Sequence, residues 1–313
     1  MRAILFDRYG SADVLEVREA PLPDPRRDEV RVKVKAAALN PKDSMVRKGK
    51  FRWLMERRFP KGLGYDFAGV VDAIGAGAPN ELLGAEVFGM KNGFEGTTCA
   101  EYTTVPIGEL APKPKALSFE EAAAVPLVGL TALQALRDDG RVSSGSRVLV
   151  HGASGGVGVH AIQIARILGA HVTTTSSARN REHCRHLGAH ETLDYAVDRG
   201  LSVEGRYDCV FDVFGNLDFG QARRALAPGG TYVTTVPGPR NVVDRAQSLL
   251  SRKRARLVVV RSNRADLEFL ARAFEEHRMR AIVDRMFPLG EAAAAQRYIE
   301  TKRARGKVVL RVA

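Results

Sequence analysis

Residues 148–158 read VLVHGASGGVG, an apolar β-branched run that breaks into glycines three apart before a second apolar, helix-compatible stretch. Gly152, Gly155 and Gly158 therefore stand where a strand turns into a helix. Small residues at that spacing let the turn be tight, the backbone approach a diphosphate, and the helix pack against the strand. The free N–H groups and partial positive charge of the helix start then face the phosphates. The loop thus predicts a dinucleotide site made by Gly152, Ser154, Gly155, Gly156, Val157 and Gly158, although its spacing is GxxGxxG rather than GxGxxG. The same letters fit GxSxG, a hydrolase nucleophile elbow, with Ser154 as nucleophile and Asp212 and His277 as partners. That chemistry also needs an upstream HGGG-type oxyanion segment, which this chain lacks.

What surrounds the loop fits the first reading. Strand-like runs at 147–151, 171–177, 208–214 and 231–236 alternate with helical runs at 157–168, 179–187 and 219–226. Such alternation predicts an α/β, doubly wound parallel sheet of Rossmann type. Before it lie short β-rich runs at 2–7, 14–18, 29–37, 69–75 and 86–89, separated by turn chemistry such as PLPDP at 21–25. Many short strands in little space predict a compact, barrel-like β domain. Ser118 and Glu121 form a capping box where the pattern changes. Helices at 265–276 and 291–301 and a strand at 307–312 close the chain. The expected division is 1–120 with 262–313, and 121–261 between them.

Composition narrows the partners. The 313 residues carry a net charge of +12. The arginines are scattered, with one short cluster at 252–256, so nucleic acid and membrane are not expected as partners. No apolar run approaches the roughly 20 residues of a bilayer span. The first residues lack the apolar core of a signal peptide. Cys99, Cys184 and Cys209 are far apart and form no CxxC pair, which argues against a disulfide framework and for a reducing compartment. The cytoplasm is the expected location.

The end of the second strand selects the cofactor. An NAD site places Asp or Glu there to bind the ribose hydroxyl. Here the segment is TTSSARN at 174–180, without a carboxylate. The hydroxyls of Ser176 and Ser177 and the guanidinium of Arg179 suit a 2′-phosphate, with Tyr195 near the same pocket. NADPH is the expected cofactor. Ligands of open α/β sheets bind at the carboxyl ends of strands, which adds Phe214, Gly215, Val236 and Arg261.

These motifs occur together with NPKD at 40–43, Arg47, Gly49, LGYDFAGVV at 63–71, GLTA at 129–132, LGAH at 187–190, PGG at 228–230 and GKVVL at 306–310. In that order they resemble the medium-chain dehydrogenase/reductase superfamily, specifically its zinc-free quinone oxidoreductase branch. The resemblance implies a GroES-like, barrel-type catalytic domain built from both chain ends, a Rossmann domain between, the cofactor in the cleft, and a homodimer. It implies transfer of a hydride to a small acceptor, a quinone or an enone. Zinc-dependent relatives hold their metal with Cys, His and Cys; the matching positions here are Asn40, Tyr65 and Leu127. Asn and Leu do not replace thiolates, so no metal is expected.

By the same resemblance Asn40 donates from its amide beside the nicotinamide, Asp43 fixes the loop carrying Asn40, and Thr131 touches the nicotinamide end. Some quinone oxidoreductases carry acceptor-site tyrosines after Asn40; the matching positions here are Met45 and Phe51. Tyr65 is then the nearest proton donor. Met45, Phe51, Trp53 and Phe94 are expected to line an apolar acceptor pocket. Two other readings share the fold: an enoyl-thioester reductase, with Arg52, Arg57 and Arg58 as a basic rim, and a non-catalytic NADPH-binding protein.

Overall fold

The structure is a computed structural model that describes residues 1–312. The chain divides into a terminal unit, Met1–Leu127 with Arg261–Ala313, and a central unit, Val128–Val260.

The central unit is a six-stranded, all-parallel sheet. In spatial order its strands are Glu191–Asp194, His171–Ser176, Arg147–His151, Tyr207–Asp212, Leu226–Thr234 and Arg254–Leu257. Counted along the unit this is 3-2-1-4-5-6, the doubly wound order of dinucleotide-binding sheets. The central strands are apolar on both faces, with Val148, Leu149, Val150, Val210 and Phe211 fully buried. Parallel strands covered by helices on both sides require this. The direction of winding reverses between Arg147–His151 and Tyr207–Asp212, so a crevice opens at the carboxyl ends of those two strands.

The terminal unit is organised by Glu29–Leu39, an eleven-residue strand. It pairs antiparallel with Asp66–Ile74, Tyr102–Pro106 and Lys307–Arg311 in a seven-stranded sheet. The alternate residues Val30, Val32 and Val34 enter the core with Phe67, Val71, Val87, Leu110, Val308 and Leu310. Register shifts between Arg31 and Val32 and between Val34 and Ala36 bend the strand and let the sheet curl. A smaller sheet of Glu16–Glu19, Arg2–Phe6 and Lys61–Gly62 completes the unit.

Register decides what meets at one end of this sheet. Leu39 faces Val308, and Ala38 faces Asp66. Asn40, Asp66 and Lys307 are therefore brought together, although the last two are 241 residues apart. Among the described residues, no helix is long and apolar enough to cross a membrane.

Candidate active site

In the central unit each glycine of the loop does a different job. Gly152 has φ +81°, which an L side chain rarely adopts. A Cβ on Gly158 would lie 2.5 Å from the Ala153 carbonyl oxygen, so only glycine lets the helix seat on the loop. A Cβ on Gly155 would meet nothing closer than 3.9 Å, so its bare backbone faces open space. The helix Gly156–Ile167 starts there with no side-chain cap. Its first N–H groups, around the half-buried Gly156 and Val157, have no intrahelical acceptor.

Beside the loop, Asn180 donates to Ser154 Oγ at 3.0 Å. Asn180 Oδ1 and Ser177 Oγ are buried and, among the described residues, have no hydrogen-bond partner. Ser176 donates to the Ser177 carbonyl. Arg179 is exposed and, among the described residues, makes no ion pair. The Tyr195 N–H donates to the Ser176 carbonyl at 3.1 Å, which holds that half-exposed ring at the end of the second strand. Phe214 and Val236 are exposed at the ends of the fourth and fifth strands, and Gly215 has φ +73° with Val236 packed against it. Thr131 is buried in the helix Pro126–Leu133. Arg261 is exposed and belongs to the terminal unit.

The hydrolase alternative finds no support. Ser154 is held by Asn180, while Asp212 accepts from the Gly215 and Leu217 N–H groups and the Tyr232 hydroxyl. His151, to which the sequence reading gave no role, proves to be a tie. Its ring hydrogen-bonds Thr175 Oγ1 and Asn216 Oδ1, each at 2.7 Å, just before Gly152. Burial holds its pKa below the usual histidine value, and Asp212 pulls it back only in part. Its position at the carboxyl end of the first strand was the available signal.

The terminal unit carries a buried polar network. Asn40 Nδ2 donates to Asp66 Oδ2 at 2.9 Å, and Asn40 Oδ1 accepts from Lys307 Nζ. Lys307 also pairs with Asp66 at 3.0 Å. The other Asp66 oxygen accepts from the Leu127 N–H at 2.7 Å. Asp43 accepts from the Asn40 N–H at 2.6 Å and the Gly64 N–H at 2.9 Å. Asp43 thus ties the turn at Asn40 to the strand entrance at Gly64.

Three sequence expectations need correction. Asn40 does not present a free amide: it is 1% exposed, with both amide atoms engaged. Tyr65 does not present a free hydroxyl, because it is buried and donates to the Phe94 carbonyl at 2.6 Å. Burial, with Asp43 nearby, pushes its pKa further above the usual tyrosine value. Trp53 does not line an enclosed pocket: it is 77% exposed, with the Arg52 guanidinium 5.0 Å from its ring centre. Phe51 and Phe94 do come together, their rings 4.9 Å apart, and Met45 is half-buried. Asp66 and Lys307 were missed as site residues, though both lie in the motifs GYDFAG and GKVVL.

Burial pushes the Asp43 carboxyl up from 3.8 to about 6, against the two N–H donors and the Lys307 charge. Over that interval the folded chain holds a proton that the unfolded chain has lost. The resulting stabilisation is fully present below pH 3.8 and is lost as pH rises through about 6. Carboxyl carbon NMR is expected to show Asp43 titrating near 6; a midpoint at the ordinary 3.8 would contradict its desolvation.

Comparison with known proteins agrees with this architecture. Residues 26–115 match the alcohol dehydrogenase GroES-like domain family, and residues 187–310 match the zinc-binding dehydrogenase family. The chloroplast envelope quinone oxidoreductase homolog of Arabidopsis thaliana is 32% identical, covering 99% of this chain and 98% of that protein. An NADPH-dependent alkenal/one oxidoreductase of the same plant is 35% identical over 99% of this chain and 79% of its own length. The solved quinone oxidoreductase of Coxiella burnetii superposes with TM-score 0.93 and 34% identity, covering 100% of this chain and 99% of that one. The chain belongs to the medium-chain dehydrogenase/reductase superfamily, in its quinone oxidoreductase branch. The positions corresponding to the zinc ligands of metal-dependent relatives do not fit that ion. Leu127 has no donor atom, Asn40 Oδ1 is taken by Lys307, and the Tyr65 hydroxyl donates elsewhere.

Proposed function

We propose that this chain is an NADPH-dependent oxidoreductase that reduces a quinone or an α,β-unsaturated carbonyl without a catalytic zinc. The observation that carries the reading is the end of the second Rossmann strand. There, among the described residues, a buried Ser177 hydroxyl has no partner and Arg179 makes no ion pair, and the adjacent Asn180 is bonded to the bare glycine loop at Ser154. An unmatched buried hydroxyl costs free energy unless a ligand meets it. A 2′-phosphate supplies acceptor oxygens for both groups, so these residues fit the nucleotide. The names of the relatives, quinone oxidoreductase homolog and alkenal/one oxidoreductase, support the acceptor class.

In this reading the helix start at Gly156, Val157 and Gly158 holds the diphosphate, and Gly152, Ser154 and Gly155 shape the loop beneath it. Ser176, Ser177, Arg179 and Tyr195 surround the 2′-phosphate. Phe214, Gly215 and Val236 flank the nucleotide at the strand ends, with Thr131 as a further contact. Bound NADPH supplies a hydride, and the protein's task is to orient the acceptor and exclude water. Met45, Phe51 and Phe94 offer the acceptor apolar surface. The network of Asn40, Asp43, Asp66 and Lys307 holds the turn that carries Met45.

Purified protein mixed with NADPH is expected to reduce para-benzoquinone, phenanthrenequinone or an alkenal, followed at the nicotinamide absorbance band. Tight NADPH binding without turnover of any of these would contradict the enzymatic reading. Turnover of crotonyl-CoA alone would reassign the acceptor to enoyl thioesters.

A further inference from the structure

Hydride addition to a quinone or enone leaves negative charge on a carbonyl oxygen, which a preorganised donor must meet. The donors nominated from sequence, Asn40 and Tyr65, are both engaged within the protein. One cationic group in the same neighbourhood carries more donors than the protein uses. Lys42 lies on the short helix Pro41–Arg47, which Asn40 caps. Its Nζ stands 3.7 Å from the Tyr65 ring centre and 5.6 Å from that of Phe94, whose ring packs on Phe51. One N–H goes to the Gly93 carbonyl at 2.6 Å. An ammonium carries three donors, and no carboxylate lies within ion-pairing distance of this one among the described residues.

We propose that the Lys42 ammonium meets the acceptor's carbonyl oxygen and stabilises the negative charge that forms there on reduction. This rests on the reading of the protein as a quinone or enone reductase. The acceptor gains two electrons and one hydrogen as hydride at carbon, the nicotinamide is oxidised, and the carbonyl π pair moves onto oxygen. That oxygen accepts a hydrogen bond from Lys42, and a proton from water then completes the product. Lys42 keeps its own proton throughout. The aromatic faces around it suit a flat conjugated acceptor and hold the cation by its attraction to the rings. Partial desolvation strengthens such a charge at close range. Burial also pulls its pKa below the usual lysine value, while Asp43 and Asp66 act in the opposite direction. Nothing local in the sequence marks Lys42, because only the fold brings it to the rings of Tyr65 and Phe94.

The test compares wild type with Lys42→Met, which keeps the side chain's bulk, and Lys42→Arg, which keeps its charge. Lys42→Met is expected to lower kcat by about 10- to 100-fold with NADPH affinity unchanged, and Lys42→Arg to recover part of the loss. A second readout needs no turnover: the yellow phenolate of 4-nitrophenol, an aromatic oxyanion. Wild type is expected to bind it about 10-fold more tightly than Lys42→Met. Equal phenolate affinity in both proteins overturns the assignment, as does kcat within about twofold of wild type in a folded Lys42→Met protein. If wild type reduces no acceptor, the enzymatic reading fails, and the phenolate comparison still decides whether Lys42 forms an oxyanion site.

Discussion

Asp66→Ala is expected to destabilise the terminal unit by about 3–5 kcal/mol, the cost of removing one partner from a buried ion pair. Asp66 is 0% exposed and Lys307 3%. Removing the carboxylate leaves the lysine charge uncompensated and takes away the acceptor that the Leu127 N–H and one amide hydrogen of Asn40 now use. Part of that total is the desolvation cost of donors left without an acceptor, roughly 1–3 kcal/mol each where water does not reach them. Denaturant unfolding followed by far-ultraviolet circular dichroism reads this loss. Pairing the change with Lys307→Met should recover much of the stability, since a buried ion pair is replaced by apolar side chains at small cost. A loss below about 1 kcal/mol for Asp66→Ala would show that the pair behaves as a solvated one.

Gly158→Val is the second large effect. Its Cβ would fall 2.5–2.6 Å from the carbonyl oxygen, carbonyl carbon and Cα of Ala153, all backbone atoms that have no rotamer to escape into. The helix Gly156–Ile167 must lift from the loop, at about 1–3 kcal/mol for overpacking of a buried site. Lifting also moves the helix-start N–H groups that the diphosphate needs. NADPH affinity, measured by calorimetry, is expected to fall by at least about 10-fold, through loss of these charge-assisted hydrogen bonds. Gly155→Ala is the control: its added methyl meets no protein atom nearer than 3.9 Å, so the fold should hold while nucleotide binding weakens. Unchanged binding in both variants would move the nucleotide elsewhere.

The parts of this molecule written in local chemistry are the parts legible from sequence. The loop at Gly152 is one, because a positive φ and a close helix seat are demands that glycine alone meets. The return of Lys307–Arg311 to the terminal unit is another, visible as an apolar run after the last helix. The strand Arg254–Leu257 was hidden because it reads as a cluster of arginines. It lies at the edge of the sheet, where charged side chains reach solvent. The network at Asn40 was hidden for a different reason. Asn40, Asp66 and Lys307 are joined only by strand register, and no local pattern encodes which residues a register brings face to face. For the same reason Asn40 and Tyr65 looked like free donors in sequence and turn out to be engaged.

Everything functional rests on the nucleotide phosphate being held beside Ser177 and Arg179. Calorimetric titration of wild type and Arg179→Ala with NADPH and NADH tests this most directly. Wild type is predicted to prefer NADPH by at least about 10-fold, and Arg179→Ala to lose that preference by weakening NADPH while leaving NADH unchanged. Equal affinity of the wild type for the two nucleotides, or an equal loss for both in the variant, would contradict it.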